Sequence, residues 1–301
     1  MLELTVYGIV FGSIISIGAI GLSLVFGIIR FANFAHGDLM STGAYIAMFM
    51  VTGALAWIPD TTFGPLSFGW RMLIAFPVAM FVVACVAIAL DRILYQKLRR
   101  KKSSPVLMAM SSLGAAFILR MLILIFWGAD SLFYRPGILR PALQLPLGVK
   151  IRPDQILILI TVFGLVALLH LFLQKTKLGK AMRATADNME LALVSGIDTE
   201  RVIIMTWGIG GALAAAGGIL YGIDVQLHPY MGWNFLIPLF AATILGTVGN
   251  IYGALVGGLV IGVAQQVSTA FMMPTYKPAV AFILMILILL VRPKGIFGGK
   301  D

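Results

Sequence analysis

The sequence predicts an all-α membrane protein, a bundle of eight to nine transmembrane segments with broken helices. First, 60% of the 301 residues are hydrophobic and only 11% are charged, whereas soluble domains carry about 25% charged residues. Second, the apolar residues form long runs, as membrane spans require. Third, the basic residues concentrate at the ends of these runs. So few charges cannot cover a water-soluble surface, and lipid must face much of the chain.

Nine apolar runs define the candidate spans. A helical span needs about 20 residues, with a range of roughly 17–25. The run at 235–248 is short, and Gly246 to Asn250 separates it from the next, which predicts a helix, a tight break and a second helix. Another break lies at 30–37, and the count falls to eight if it lies inside the membrane. The runs fall at about 4–29, 38–58, 72–90, 105–127, 155–173, 202–223, 235–248, 251–267 and 279–291.

The basic residues predict the orientation of the chain, because cytoplasmic loops carry an excess of Lys and Arg. Six lie in the 91–104 loop, five in the 174–201 loop and three in the C-terminal tail, and Arg30 joins them on the same side. The opposite side carries six, and Arg120 falls within a span. We therefore expect a cytoplasmic C-terminus and an external N-terminus.

Several function classes are excluded by what the sequence lacks. It contains no Gly-x-x-x-x-Gly-Lys-Ser/Thr loop for a nucleotide, no His-Glu-x-x-His zinc motif and no Gly-x-Ser-x-Gly elbow. The three histidines are far apart, so no metal site, catalytic site or cofactor is predicted. The net charge of +10 lies at span ends rather than in a basic stripe with exposed aromatic residues, so nucleic acid is not an expected partner.

The first break carries a polar cluster, and its members Asn33, His36, Gly37 and Asp38 are candidate residues of a translocation path. A charge facing lipid costs about 2.5–3.5 kcal/mol at the bilayer centre. The cluster is therefore either a short cytoplasmic turn or a break inside the bundle that faces water. Broken helices near the midplane often frame substrate sites. We expect this break to approach the second one, where Gly246, Gly249 and Asn250 are the candidates.

Two charged residues near these breaks need partners. Arg30 or His36 is expected to offset the charge of Asp38. Arg120 lies about two turns from the outer end of its span, so we expect its long side chain to snorkel to the interface.

The 174–201 loop predicts a short amphipathic helix. Asp187 and Asn188 are candidate N-caps, and Glu190 lies in the first turn. Gly196 is placed as a helix stop, and Leu191 and Val194 share one face. Such a helix needs a partner protein or the membrane surface to cover its apolar side.

This segment resembles the cytoplasmic coupling loop of ABC-importer permeases, in which a helix ending in Ala-x-x-x-Gly docks into the ATPase, and Ala192 and Gly196 fit that spacing. The whole chain is similar to the LivH-type permeases of branched-chain amino-acid importers. It departs at Thr247, where many relatives have a glycine, which makes that break less flexible. The matching stretches are Gly21 to Gly27, Asn33 to Asp38, Gly179 to Ala184, Gly246 to Gly258 and Val291 to Phe297.

The resemblance implies one transmembrane permease domain over residues 1–301, with its coupling loop at about 174–201. It implies a bacterial inner-membrane complex with a second homologous permease, two cytoplasmic ATP-binding subunits and a periplasmic solute-binding protein. The permease itself is not an enzyme, because ATP hydrolysis belongs to the partners. The residues implied in coupling are Arg183, Asn188, Glu190, Leu191, Ala192, Val194 and Gly196.

The predicted solute is a small apolar amino acid such as leucine, isoleucine or valine. The spans offer mostly aliphatic side chains, and a charged solute would need a paired opposite charge. A zwitterion could instead meet the dipoles and free backbone groups of broken helix ends. A permease for urea or short amides is an alternative. So is a secondary transporter or channel without an ATPase, and an intramembrane enzyme is a more remote one.

Overall fold

A computed structural model describes residues 1–59, 61–134, 142–144 and 150–298 of the chain. Two short strands, β1 (Leu143–Gln144) and β2 (Lys150–Ile151), pair antiparallel. Residues 135–141 and 145–149, which belong to the loop between α5 and α6, lie outside the described residues. The helices are α1 (Leu2–Ile29), α2 (Ala35–Phe49), α3 (Trp70–Leu90), α4 (Gln96–Arg100), α5 (Pro105–Trp127), α6 (Pro153–Lys175), α7 (Lys177–Asp187), α8 (Met189–Val194), α9 (Thr199–Asp224), α10 (Met231–Leu245), α11 (Ile251–Ser268) and α12 (Lys277–Val291).

The fold is that of an all-α membrane protein, as the sequence predicts. Among the described residues, seven helices are long and apolar enough to cross a membrane. Neither α2 nor α10 is one of the seven. Helix α10 is too short, with 15 residues, and α2 is extended by a π-helical turn at Met50–Ala54. The predicted count of eight to nine crossing segments therefore stays a prediction.

The predicted 91–104 loop is largely helical, which corrects the sequence interpretation. The helix that begins with α3 continues through a π-helical turn at Asp91–Tyr95 into α4. Asp91 is fully buried and is paired with Arg99 at 2.5 Å. The ring of Tyr95 stacks on Trp207 of α9 at 4.9 Å. These contacts hold a basic segment as helix where the charges alone suggested a loop.

The helices form two halves that repeat with inverted direction. Within each half a long helix is followed by a short one, α1 and α2 in the first and α9 and α10 in the second. The packing is reciprocal. Helix α1 packs against α11 of the second half, and its counterpart α9 packs against α3 of the first half. In the same way, α2 packs against α5 and its counterpart α10 packs against α12. The segments Val25–Ile28 (Val-Phe-Gly-Ile) and Leu220–Ile223 (Leu-Tyr-Gly-Ile) end the two long helices at an offset of 195 residues (220 − 25).

The two halves meet at a pair of glycines related by the same offset of 195 residues (232 − 37). A Cβ on Gly37 would overlap the carbonyl oxygen of Gly232, and a Cβ on Gly232 would overlap that of Gly37. Gly37 also faces Leu236, and Gly232 faces Ser41, which is the pattern of two antiparallel helices. Inverted repeats that meet at short helices are common in transporters.

The 30–37 break packs inside the bundle, as one of the two alternatives expects, but its residues 31, 33 and 35–37 are buried in protein rather than facing water. Phe31 is buried against Tyr95 and Trp207. The N–H of Phe34 donates to Ser112 Oγ at 2.9 Å. Ser112 lies seven residues into α5, or about 10 Å along it at 1.5 Å per residue. The chain therefore folds back along α1 before α2 begins.

The glycine contact yields a stability prediction. We expect Gly37→Ala and Gly232→Ala each to destabilise the purified protein by about 1–3 kcal/mol, because the new methyl group would overlap a backbone oxygen that cannot move alone. The control is Gly164→Ala in α6, where an added Cβ meets nothing within 4 Å. There alanine should be neutral or stabilising by its helix propensity. Thermal unfolding in detergent measures all three variants, and wild-type behaviour of the first two would contradict the described contact.

Candidate functional site

A buried ion pair marks the start of α2. Arg120 Nε donates to Asp38 Oδ1 at 3.0 Å and Nη2 donates to Oδ2 at 2.9 Å. Asp38 is fully buried and Arg120 is 4% exposed. Both expectations about these charges were wrong: Arg120 does not reach the interface, and neither Arg30 nor His36 is the partner of Asp38. Loss of either member would leave an unpaired buried charge, at a cost of about 3–5 kcal/mol.

The other residues of the first break are also buried. Asn33 Oδ1 accepts from the N–H of Ala35 at 3.1 Å, while its amide nitrogen has no partner among the described residues. His36 Nε2 hydrogen-bonds the carbonyl oxygen of Gly18 at 2.9 Å, which ties the first turn of α2 to α1. Gly37 packs against Gly232 rather than against the second break. Gly37 thus meets the first turn of α10, whereas the second break meets the end of α1, where Gly249 lies against Gly27.

Three aromatic rings surround the guanidinium of Arg120, and the sequence analysis did not single them out. The Arg120 Cζ lies 4.9 Å from the ring centre of Trp233, 5.4 Å from that of Phe117 and 5.8 Å from that of Tyr230. Each ring is about half exposed on the surface of the chain. Guanidinium groups are attracted to aromatic faces at such distances. The ion pair therefore lies directly beneath an aromatic patch formed by α5 and the start of α10.

The second break lies at the end of the bundle that carries α7 and α8. Gly246 packs on Gly253 so closely that neither can carry a side chain. Gly249 has φ +85 and donates its N–H to Ser23 Oγ at 3.0 Å. Asn250 caps α11, since its side chain accepts from two backbone N–H groups of the first turn.

Thr247, the departure from the family pattern, has φ +81, which is a strained conformation for a β-branched residue. Its hydroxyl donates to the carbonyl oxygen of Lys294 at 2.9 Å and accepts from the N–H of Phe297 at 3.2 Å. The C-terminal tail therefore holds the break in place.

A cavity of about 330 Å³ opens beside this second break. Among its lining residues are Met182 and Arg183 of α7, and Gly249 and Asn250 of the break. The structure therefore brings one residue of the predicted coupling set next to two of the predicted path set. The residues at 33–38 belong to a separate group, because their contacts lie with the middle of α1, with α5 and with α10.

The predicted helix of the 174–201 loop is present as α8. Asn188 caps it by accepting from the N–H of Leu191 at 3.0 Å, and Glu190 lies in its first turn. Gly196 ends it with φ +84, as the sequence predicts. Arg183 lies on the preceding helix α7 and donates to Gln174 at 2.9 Å.

The outward face of α8 differs in one residue from the predicted face. Leu191 and Val194 are 64% and 86% exposed, and Leu193, which was not predicted, is 60% exposed. Ala192, one of the residues implied in coupling, is only 4% exposed and points into the chain, so it does not belong to the surface that α8 offers to a partner. The three exposed residues, called here the α8 apolar face, are not covered by any described residue.

No group of three or more His, Cys, Asp or Glu residues that could hold a metal ion occurs in the described part of the chain. The candidate site consists of a buried ion pair, two glycine-rich breaks, a cavity and the short helix α8 with its exposed apolar side chains. These features suit the binding and passage of a solute and contact with a partner protein.

Comparison with known proteins gives consistent results. Residues 4–289 match the family model described as "Branched-chain amino acid transport system / permease component". The permease protein LivH of the high-affinity branched-chain amino acid transport system of Escherichia coli is 33% identical over 98% of this chain and 94% of its own length. BraD, the corresponding permease protein of Pseudomonas aeruginosa, is 34% identical over 100% of this chain and 96% of its own length.

A more distant relative is the probable branched-chain amino acid transport permease protein LivH of Methanocaldococcus jannaschii, at 27% identity over 96% of this chain and 90% of its own length. No solved structure matches the chain. The family match covers nearly the whole chain, and two relatives exceed 30% identity over nearly their full lengths. The chain belongs to the family of branched-chain amino acid transport permease components.

Proposed function

We propose that this chain is the membrane-spanning permease subunit of an ATP-driven importer for leucine, isoleucine, valine or similar apolar amino acids. The α8 apolar face carries this proposal, because three aliphatic side chains on a capped helix stay exposed in the part of the chain that the structure describes. A helix that presents such a face commonly docks in an apolar groove of another protein. The family membership makes a cytoplasmic ATP-binding subunit the fitting partner.

Transport by alternating access fits the inverted repeat. In transporters of this kind, two repeats rock against each other around a site near the middle of the membrane. Here the repeats touch through Gly37 and Gly232, and Asp38 lies next to that contact. The proposed path runs past Asn33, His36, Gly37 and Asp38, and the break of Gly246, Gly249 and Asn250 lines its other end.

The proposed assembly contains a second homologous permease, two ATP-binding subunits and a periplasmic solute-binding protein in the inner membrane. The excess of basic residues around α7 and α8 supports a cytoplasmic position for that end of the bundle. The C-terminus then lies in the cytoplasm and the N-terminus outside. The chain's own contribution is the path and the coupling surface, and ATP hydrolysis takes place on the partners.

The function is tested by reconstituting the complete transporter in liposomes. We expect ATP-dependent uptake of leucine that requires the binding protein, and we expect little uptake of lysine or glutamate. Robust uptake of lysine or glutamate without leucine would contradict the proposed solute. Uptake of leucine that needs no ATPase would instead support a secondary transporter.

The coupling surface is tested by Val194→Arg. A charged side chain on the α8 apolar face should weaken binding of the ATP-binding subunit about tenfold or more, which corresponds to about 1.4 kcal/mol, and should abolish coupled ATP hydrolysis. Val194 is exposed, so the variant should remain folded. The matched control is Val225→Arg at the opposite end of α9, where the side chain is 47% exposed. Co-purification of the ATP-binding subunit with Val194→Arg at the wild-type ratio would argue against this surface.

The path is tested by single cysteines at positions 33 and 250 in a Cys85→Ser background. Asn250→Cys should react with a water-soluble thiol reagent, because Asn250 lines the cavity. Asn33→Cys should react only in a nucleotide state in which the bundle opens, because Asn33 is fully buried here. Ile160→Cys on the exposed side of α6 is the control and should react only with a lipid-soluble reagent. The path lies elsewhere if neither position reacts in any state.

A further inference from the structure

Arg120 keeps one guanidinium nitrogen unused. Its Nε and Nη2 atoms donate to the two oxygens of Asp38, while Nη1 makes no hydrogen bond to any described residue. The side chain is only 4% exposed, and Nη1 keeps part of that exposure, because it is not among the fully buried atoms that lack a partner. A buried guanidinium stays charged, and its free N–H groups require an acceptor. This nitrogen is therefore a donor that no residue in the described part of the chain satisfies, and a solute can reach it.

A second positive element lies beside the guanidinium. Helix α10 begins at Met231, two residues before the ring of Trp233 that faces Arg120. Its N-cap, Tyr230, provides no side-chain acceptor. The N–H of Met231 donates to the carbonyl oxygen of His228 and that of Gly232 to Ser41 Oγ, which leaves the N–H of Trp233 without an acceptor among the described residues. The N-terminus of a helix carries a partial positive charge and favours anions. The two elements point to the same kind of ligand, a small anion.

The aromatic patch opens this position to the surface of the chain. Phe117 comes from α5, and Tyr230 and Trp233 come from the start of α10. These rings are about half exposed, so they form an apolar wall rather than a closed lid. A ligand that reaches the guanidinium between them must expose an apolar side to the rings and an acceptor to Arg120.

We infer that Arg120 is a solute-binding residue whose free Nη1, together with the N-terminus of α10, receives the α-carboxylate of the transported amino acid. This inference rests on the proposed function and names the group that recognises the solute. An amino acid zwitterion that lies antiparallel to the Asp38–Arg120 pair places its carboxylate near Arg120 and its ammonium group near Asp38. Its ammonium group can approach the carboxylate of Asp38 or an aromatic face. Its aliphatic side chain can rest on Trp233 and Phe117.

The competing explanation is that the ion pair only holds α2 against α5. That explanation requires the positive charge of Arg120, but it gives no role to the Nη1 atom of Arg120 or to the ring of Trp233. Arg120→Lys keeps a positive charge beside Asp38 and removes the planar guanidinium. Trp233→Leu leaves the ion pair intact and removes the largest ring of the patch. The two variants therefore separate a binding role from a structural one.

The experiment measures leucine binding to the purified complex of permeases and ATP-binding subunits, without the binding protein, by the shift in thermal unfolding temperature. Leucinamide, which lacks the carboxylate, is the comparison ligand. Leucine should stabilise the wild-type complex and leucinamide should not. Arg120→Lys should weaken leucine binding about tenfold or more, as expected for loss of a hydrogen bond between charged groups. Trp233→Leu should weaken it to a smaller extent.

The matched control is Arg152→Lys. Arg152 also forms an ion pair, with 2.6 Å between its Nη2 and Asp224 Oδ1, but its partner is not Asp38. It should bind leucine as the wild type does. Uptake in liposomes at saturating binding protein should fall in Arg120→Lys and in Trp233→Leu, with complex assembly unchanged. These two readouts keep the test valid if one variant assembles poorly.

Unchanged leucine binding and uptake in both variants would overturn the inference while leaving the proposed function in place. Loss of assembly in Arg120→Lys with normal binding in Trp233→Leu would also overturn it, in favour of a purely structural ion pair. Equal stabilisation by leucinamide would show that the carboxylate is not recognised. A wild-type complex that takes up urea or a short amide instead of leucine would contradict the proposed solute and this inference together.

Discussion

Two helices that begin inside an apolar bundle impose the main constraint on this structure. The first N–H groups of any helix lack partners within it, and at membrane depth no lipid group can supply them. The chain meets this demand for α2 and α10 with side-chain oxygens of Asn33, Ser112 and Ser41. Ser112 and Ser41 come from neighbouring elements, so satisfying the helix starts also fixes α5 against α2, and α2 against α10.

The same constraint explains why a charge pair is stable at this position. Asp38 lies in the first turn of α2, where the helix dipole favours a negative charge. Arg120 supplies the opposite charge through two hydrogen bonds. The pair is thus held by a helix end on one side and by aromatic faces on the other. The break, the buried acid and the buried base form one interdependent unit, and removing any part of it leaves the others without a partner.

The local features of the fold could be predicted from the sequence, whereas its long-range pairings could not. Apolar runs located all seven described helices that are long and apolar enough to cross a membrane, and capping chemistry placed α8 between Asn188 and Gly196. The Asp38–Arg120 pair joins residues 82 positions apart, and no periodicity reports such a contact. Two opposite charges isolated within apolar segments were nevertheless a usable signal, since each needs a partner. The burial of Ala192 depends on packing around α8, which spacing alone does not determine.

The repeat explains both what the two halves share and where they differ. The offset of 195 residues that relates Gly37 to Gly232 also relates Asp38 to Trp233 (233 − 38). Both of these side chains contact Arg120, one as a carboxylate and the other as an aromatic face. The backbone contact requires glycine in both halves because the helices touch. The next position is free of that requirement, so the halves could acquire different chemistry there. The symmetric backbone thus builds an asymmetric position, polar on one side and apolar on the other, and this asymmetry matches that of an apolar amino acid.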